Sequence, residues 1–152
     1  MSVAFRRESD EEHKEPRFEL PIPPGPNLVT ARGLAQIEEQ VASFEAAVAA
    51  AGEDAEARAA AERDLRYWRT RLATAEPTEA GSTDEVGFGS HVQYRLNGKK
   101  NRIEITGVDE ADPALGKIAF TAPLARAMIG LEVGETAEFQ GKDDAIEILA
   151  IA

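Results

Sequence analysis

The sequence predicts an α+β protein, in which an antiparallel helical hairpin is followed by a small antiparallel β domain with one short helix. Two Ala-rich segments before residue 76 carry apolar residues at alternating spacings of three and four, which is typical of packed helices. After residue 85, apolar and polar residues alternate, and Asn97-Gly98 between two such runs is a strong signal for a β-hairpin.

The first helix is predicted over residues 30–51. Thr30 is a good N-cap, because its hydroxyl can accept a hydrogen bond from a free backbone N–H of the first turn. Gly52 suits the left-handed conformation that ends many helices. The apolar stripe of this helix consists of Leu34, Ile37, Val41, Phe44 and Val48.

A second helix is predicted from about Asp54 to Ala75, and Pro77 follows its end. Its stripe consists of Ala61, Leu65, Trp68, Leu72 and Ala75. Two stripes of matching length joined by a short turn indicate an antiparallel coiled coil. Each arm would be roughly 32 Å long at the helical rise per residue.

The C-terminal region is predicted to form a small antiparallel sheet wrapped on one helix. Pro123 suits the first turn of that short helix, and Gly130 closes it. The predicted strands contain Val92–Leu96, Ile103–Ile105, Lys117–Phe120, Thr136–Phe139 and Ala145–Ile151, with a polar turn at Gly141–Asp144 before the last.

These elements predict four regions along the chain. Residues 1–26 form a disordered arm that ends in a Pro-rich linker, residues 27–76 the hairpin, residues 77–85 a second linker, and residues 86–152 the β domain. The arm has an alternative interpretation as a docking strap, with Phe18, Leu20 and Ile22 as alternating anchors.

Composition excludes several classes of function. The chain of 152 residues has a net charge of −11, which argues against sequence-independent binding of DNA or RNA. It has no cysteine, and its two histidines, His13 and His91, lie far apart in the sequence, so a protein-held zinc site is not expected. We expect His91 to be a strand residue without a catalytic role. No apolar run approaches the roughly 20 residues that span a bilayer. We therefore expect a monomeric cytoplasmic protein, without membrane association or sequence-specific DNA binding.

Two segments of the chain resemble the Gre family of bacterial transcription elongation factors. TARGLAQIEEQV at Thr30–Val41 is similar to the opening of the family's first helix. Ile105–Gly134, preceded by VGFGSHV at Val86–Val92, is similar to the family's C-terminal domain. Within it, DEAD at Asp109–Asp112, GKI at Gly116–Ile118 and PLARAMIG at Pro123–Gly130 stand close to the family pattern.

The resemblance implies an FKBP-like C-terminal domain that docks on RNA polymerase at its secondary channel, with the hairpin pointing into the channel. In cleavage-competent members, acidic residues at the hairpin tip help to hold a second metal ion at the polymerase's own magnesium, and backtracked RNA is hydrolysed. Such a factor is no enzyme by itself and has no cofactor of its own, because RNA polymerase supplies the Mg²⁺.

This chain departs from the family pattern at the tip. The family sequence GDLSENAEY has two acids three residues apart. Here Glu53 and Glu56 keep that spacing, while the Asn and Tyr that follow are missing. The arms are also two to three turns shorter, about 10–15 Å of helix. Glu53, Asp54 and Glu56 are thus metal-assisting candidates, although acids in a helix's first turn also stabilise its dipole, and Asp54 is a natural N-cap.

Two further groups of candidates follow from the resemblance. The second helix carries a concentration of arginines: Arg58, Arg63, Arg66 and Arg69, with Arg71. They would contact the RNA 3′ segment or the acidic channel walls, unless they form an ordinary solvated face. Thr121, Pro123 and Arg126 match the region that faces the polymerase. We expect Leu124 and Ile129 to be core residues.

Three functions compete at this point. The first is an elongation factor that binds RNA polymerase and regulates paused or backtracked complexes, with stimulation of transcript cleavage as its finer form. The second is a non-cleaving competitor for the secondary channel, similar to the regulators of nucleoside diphosphate kinase. The third, a prolyl isomerase, rests on the FKBP-like fold alone and would need a pocket lined by aromatic side chains.

Overall fold

The computed structural model describes residues 19–152, and the chain divides into two compact units. One, called the hairpin unit, comprises residues 38–73 and the described part of residues 1–24. The other, called the sheet unit, comprises residues 25–37 and 74–152. The limit between residues 37 and 38 falls inside the first long helix, and the limit between residues 73 and 74 falls at the end of the second. The four predicted regions, with their limits at residues 26, 76 and 85, therefore stay predictions.

Two long helices have the predicted limits to within one residue. Helix α1 is Ala31–Ala51 and helix α2 is Ala55–Thr74. The backbone N–H of Gly33 donates to Thr30 Oγ1 over 2.9 Å, and that of Ala57 donates to Asp54 Oδ1 over 3.1 Å. Both N-cap predictions are therefore confirmed. Between the helices, Gly52 has a φ of +56°, in the left-handed region that favours glycine.

The predicted stripe of α1 is its buried side, because all five residues are buried or half-buried among mostly exposed neighbours. In α2, Ala61 and Leu65 are buried, while Trp68 and Leu72 are half-buried. Ala75 lies outside the helix, so its assignment to the stripe is wrong. Arg71, which the stripe did not include, is 2% exposed.

A two-stranded parallel sheet in the sheet unit joins the residues before α1 to those after α2. Strand β1 is Asn27–Val29, strand β2 is Ala75–Pro77, and Asn27 pairs with Ala75. The N–H of Thr78 extends the ladder by donating to the carbonyl of Val29 over 2.8 Å. Strands of three residues have too few positions to show a periodic pattern, so the sequence did not predict this sheet.

The main sheet of the sheet unit has five strands in the order β5-β4-β3-β7-β6. The strands are β3 His91–Leu96, β4 Lys99–Thr106, β5 Lys117–Ala119, β6 Thr136–Phe139 and β7 Lys142–Ile151. Asn97 and Gly98 form the predicted turn between β3 and β4, with φ values of 51° and 84°. Strands β4 and β5 pair in parallel, so the sheet is antiparallel apart from this one pair.

The last turn is shorter than predicted. Gln140 and Gly141 have φ values of 52° and 80°, and β7 already begins at Lys142. The prediction of a polar turn at Gly141–Asp144 was wrong, because Lys142–Asp144 are exposed strand residues whose polarity reflects their contact with water. Asp144 Oδ1 accepts a hydrogen bond of 2.7 Å from the hydroxyl of Thr136 across this pair of strands.

Helix α3, Pro123–Met128, covers one face of the sheet, with Pro123 in its first turn as predicted. Gly130, which closes it, has a φ of 93°. The core between helix and sheet consists of Val86, Val92, Tyr94, Ile103, Ile105, Ala125, Met128, Ile146 and Ile148. The α+β fold class is thus confirmed. Among residues 19–152, no helix combines the length and apolar character that crossing a membrane requires.

Candidate functional site

The tip of the hairpin unit presents three acidic side chains, and they do not have the same freedom. Asp54 caps α2, because its carboxylate accepts from the N–H of Ala57 and its carbonyl accepts from the N–H of Arg58 over 2.9 Å. Glu53 and Glu56 are exposed, and their carboxylates make no hydrogen bond within the described part of the chain. Asp54 therefore has a structural role that its two neighbours lack.

The acids at the tip do not form a ready-made metal centre. Within residues 19–152, no group of three or more His, Asp or Glu side chains is placed to hold an ion. Two exposed carboxylates on flexible side chains can contribute ligands to a hard cation that is held mainly by another molecule. They do not supply the six oxygen ligands that magnesium requires.

Two arginines of α2 form ion pairs within the hairpin unit. Arg66 Nε donates to both oxygens of Glu19, at 2.8 and 3.0 Å, and this hydrogen bond raises the pKa of Arg66 above its ordinary value. Arg69 pairs with Glu45 of α1 at 3.0 Å. Both arginines remain more than half exposed.

The other arginines of α2 differ in burial. Arg58 is exposed and donates to the carbonyl of Gly52 at the tip. Arg63 is 3.6 Å from Asp64, and its buried Nε has no hydrogen-bond partner among residues 19–152. Arg71 is buried, so it does not belong to the exposed basic surface. Arg63, Arg66 and Arg69 follow each other at spacings of three and lie along one side of α2; we call them the arginine row.

The three residues predicted to dock on a partner are exposed and lie on or beside α3. Thr121 precedes the helix, Pro123 begins it, and Arg126 is in its last turn. Ile129, just after α3, is 41% exposed, so the prediction that it is a core residue was wrong. Its position after the last helical turn removes it from the buried face, whereas Leu124 is half-buried against the core.

A buried carboxylate in the sheet unit was not predicted as a site. Glu110, whose side chain is 2% exposed, accepts hydrogen bonds of 2.7 and 2.6 Å from the hydroxyl of Thr30. Arg32 reaches Glu110 at 2.6 Å and Glu104 at 2.8 Å. A Cβ on Gly33 would lie 2.6 Å from Glu110 Oε2, so a side chain there would collide with the carboxylate. We call Thr30, Arg32, Gly33, Glu104 and Glu110 the Glu110 cluster.

The Glu110 cluster explains why a glycine occupies the first turn of α1. Glycine lowers the stability of a helix by about 1 kcal/mol relative to alanine. At position 33 the carboxylate of Glu110 occupies the space that a larger side chain would need. The hydrogen bond to Glu104, with the charge of Glu110, raises the pKa of Arg32 above its ordinary value. An isolated glycine within a helical pattern was the one signal that could have indicated this contact.

Two shallow cavities lie along β3, β4 and the end of β7, and the described residues that line them form no catalytic constellation. One, of about 330 Å³, is lined by His91, Gln93 and Arg102 among others, and the second, of about 530 Å³, by Lys100, Arg102 and Leu149 among others. Neither lining contains Phe, Tyr or Trp. These cavities therefore give no support to a prolyl isomerase, which needs an aromatic pocket.

Comparison with known proteins gives a family match to the C-terminal part of the chain. Residues 81–152 match the family model described as transcription elongation factor, GreA/GreB, C-term. The transcription elongation factor GreB of Neisseria meningitidis serogroup A is 34% identical over 97 residues, which is 59% of each chain. The GreA of Acidiphilium cryptum is 40% identical over 74 residues, 46% of this chain and 47% of its own. The chain thus spans about half the length of these curated relatives.

Solved structures of Gre-related proteins also align with the chain. GreA factor homolog 1 of Thermus thermophilus has a TM-score of 0.38 at 18% identity, over 84% of this chain and 99% of its own. The GreA/GreB factor of Nitrosomonas europaea has a TM-score of 0.40 at 18% identity, over 85% and 99%. Residues 81–152, slightly less than half of the chain, are therefore similar to the GreA/GreB C-terminal domain.

Proposed function

We propose that this protein is a transcription elongation factor that binds bacterial RNA polymerase at its secondary channel and regulates paused or backtracked complexes. The observation that carries the proposal is the family match of residues 81–152, together with relatives named as elongation factors. It acts as an accessory factor, as a cytoplasmic monomer, without contact with membranes and without sequence-specific binding of DNA.

The sheet unit provides the docking surface in this proposal. Thr121, Pro123 and Arg126 are exposed around α3, and exposed Ile129 adds an apolar side chain next to them. Val133, further along the same connection, is 55% exposed. Apolar side chains beside a cation are typical of protein interfaces, whose cores are depleted of charge while arginine is enriched.

The hairpin unit provides the part that acts inside the channel. Helices of 21 and 20 residues are each about 30 Å long at the helical rise. Glu53 and Glu56 at the tip would add carboxylate oxygens to a magnesium ion that the polymerase supplies, which stabilises the attacking and leaving oxygens of RNA hydrolysis. Arg58 and the arginine row would meet the phosphates of the RNA 3′ segment.

A non-cleaving competitor remains the second candidate, and the length of the helical arms favours it. A ligand must come within about 2 Å of magnesium. If the two helices are two to three turns shorter than those of the cleavage factors, the tip falls short of their position by more than this metal–ligand distance. Such a factor would occupy the channel without assisting hydrolysis.

A transcript-cleavage assay on a stalled polymerase with end-labelled RNA separates the two candidates. Shortened transcripts that disappear with Glu53→Gln and Glu56→Gln support assisted cleavage. Unshortened transcripts, combined with inhibition of a second, cleavage-competent Gre factor, support competition. The matched control is Glu38→Gln with Glu39→Gln, two exposed acids of α1 away from the tip. Neither cleavage nor competition at saturating protein would refute the proposal.

A further inference from the structure

The β3–β4 hairpin is a basic segment in an acidic protein. Residues 95–102, RLNGKKNR, contain four cations and no acid, whereas the whole chain has a net charge of −11. Arg95 pairs with Glu147 at 3.0 Å. The side chains of Lys100 and Arg102 are exposed and make no ion pair or hydrogen bond with residues 19–152. These two cations are therefore available to a ligand, unlike the paired arginines of α2.

The pleat of the sheet brings Arg95, Lys100 and Arg102 to one face. Arg95 lies directly opposite Lys100 in the ladder, and Gln93 lies opposite Arg102. Tyr94, which follows Gln93 and precedes Arg95, is buried in the core beneath α3. Since side chains alternate between the faces of a sheet, the three cations lie on the face away from that helix. Like charges directly opposite each other destabilise a sheet, and a bound anion would relieve this repulsion.

The backbone of this part of β4 forms a free edge of the sheet. Strand β5 pairs with β4 only over Glu104–Thr106. In an antiparallel ladder, consecutive residues direct their N–H and C=O groups alternately toward one neighbour and the other. The N–H of Glu104 donates to the carbonyl of Gly116 beside β5 over 2.8 Å. By this alternation, Lys100 and Arg102 also direct their backbone groups away from β3, to a side where no strand of the described chain pairs with them.

The free edge presents the N–H and C=O of Lys100 and the N–H of Arg102. The carbonyl of Arg102 faces Gly116, where an added Cβ would lie 3.3 Å from it. A free edge accepts another extended chain through main-chain hydrogen bonds. Cations on such an edge disfavour pairing between two copies, because the same charges would meet. They favour a strand that carries acids at the facing positions.

The two shallow cavities adjoin this edge. Gln93 and Arg102 contribute to the lining of both, and Val92, Ile103 and Ala150 give the first an apolar part. Neither lining contains an aromatic side chain, on which the base of a single-stranded nucleic acid would stack. The surface therefore fits an acidic protein segment better than it fits single-stranded nucleic acid.

The beginning of the described chain does not supply this segment. Glu19 is held by Arg66, whose Nε donates to both carboxylate oxygens at 2.8 and 3.0 Å. Among the predicted anchors of the arm, Leu20 is half-buried, whereas Ile22 is 44% exposed and therefore is no buried anchor. Phe18, the third predicted anchor, lies outside the described residues. The acidic segment is therefore sought in a partner protein.

We propose that the edge of β4 at Lys100–Arg102 binds an extended acidic segment of a partner protein as an added strand. Acids at alternate positions of that segment lie about 7 Å apart on one face, which matches two cations that are two residues apart on β4. Arg95, across the ladder from Lys100, adds a third cation. The segment is recognised by its backbone and its charge, without RNA polymerase, so the proposal stands or falls separately from the proposed function.

Amide hydrogen exchange of the full ¹⁵N-labelled chain tests the added strand. The probe is a synthetic heptapeptide with blocked ends, Thr-Val-Glu-Val-Glu-Val-Thr. We expect saturating peptide to slow exchange of the Lys100 and Arg102 amides by about fivefold or more, because these N–H groups gain acceptors. The amide of Asn101 faces β3 and should not change. The same peptide, methylated on the backbone nitrogens of its valines and glutamates, should give no protection.

Fluorescence anisotropy of the labelled peptide tests the role of charge. Lys100→Glu should weaken binding by about fivefold or more, because like charges then face each other. The matched control, Lys142→Glu, changes another exposed strand lysine by the same charge and should alter binding by less than about twofold. A peptide with glutamines in place of the glutamates should bind the unmodified chain as weakly as the acidic peptide binds Lys100→Glu.

Several outcomes would overturn the proposal. Protection of the Lys100 and Arg102 amides before peptide is added would show that a segment of this chain or a second copy already covers the edge. Protection by the methylated peptide would exclude an added strand, and equal weakening by the two lysine variants would reduce the effect to net charge. Tighter binding of a ten-residue oligouridine than of the acidic peptide would assign the surface to nucleic acid. Absence of peptide binding at millimolar concentration would equally reject the added strand.

Discussion

The hairpin unit and the sheet unit use their side chains in different ways. In the hairpin unit most apolar residues of the helices are only half-buried, and few side chains besides Ala61 and Leu65 are fully removed from water. In the sheet unit, Ile105, Met128, Ile146 and Ile148 are all 0% exposed. The difference indicates that the sheet unit carries most of the packing free energy. The exposed candidates on the hairpin, Glu53, Glu56, Arg58, Arg66 and Arg69, can therefore be changed without unfolding the protein.

The largest effect is expected in the core of the sheet unit. Ile105→Ala removes a fully buried side chain and leaves a cavity, which should lower the free energy of unfolding by about 2–5 kcal/mol. Leu115→Ala, at a residue that is 69% exposed, is the matched control and should change it by less than about 0.5 kcal/mol. Urea unfolding followed by circular dichroism measures both. Equal losses in the two variants would contradict the comparison.

The second prediction concerns the Glu110 cluster. Gly33→Ala places a methyl group against Glu110 Oε2 and should destabilise the protein by about 1–3 kcal/mol, despite the better helix propensity of alanine. In a Glu110→Ala background the same change should cost less, because the colliding oxygen is gone. A double-mutant cycle by urea unfolding should give a coupling energy of about 0.5–3 kcal/mol. Additive effects of the two substitutions would show that the close approach has no energetic consequence.

The third prediction distinguishes the acids at the tip. Asp54→Ala removes the cap of α2 and should cost about 1 kcal/mol of local helix stability, visible as faster hydrogen exchange of the first amides of α2. Glu53→Ala, one residue earlier, removes no hydrogen bond of the described chain and serves as the control. If both variants exchange at the same rate, Asp54 has no special structural role.

The smallest effect is a pH dependence from Tyr94. Burial raises the pKa of its phenol above the ordinary value of 10.0, so the folded state retains the proton longer than the unfolded state does. The contribution to stability is thus complete below about pH 10 and is lost as the pH rises through the folded-state pKa. Urea midpoints measured from pH 8 to 11 should fall more steeply for the unmodified chain than for Tyr94→Phe. If the urea midpoints of the two proteins fall equally with pH, the ionisation of Tyr94 does not contribute to the pH dependence of stability.

The elements that the sequence predicted well are those with a strong local signal. Thr30, Asp54 and Gly52 mark the ends of α1 and α2 through caps and a left-handed turn, which depend only on neighbouring residues. Asn97-Gly98 fixes the β3–β4 hairpin for the same reason. The resemblance to the Gre family added the C-terminal domain, which the family match at residues 81–152 confirms.

The features that the sequence did not predict depend on contacts between distant residues. The β1–β2 pair joins residues that are 48 positions apart, and Glu110 meets Thr30 across 80 positions. Arg71 is buried although its residue type predicts exposure. Local periodicity contains no information on such contacts. The roles of the tip acids, the arginine row and the α3 surface stay predictions, because they depend on a partner.

Gel filtration of the full chain with bacterial core RNA polymerase tests the central claim most directly. We expect the protein to co-elute with the polymerase at micromolar concentration, and Pro123→Ala combined with Arg126→Glu to abolish this. Lys99→Glu, an exposed residue at the β3–β4 turn, changes the charge by the same amount as Arg126→Glu and should leave co-elution intact. Failure of the unmodified chain to co-elute, or equal loss in both variants, would contradict the account.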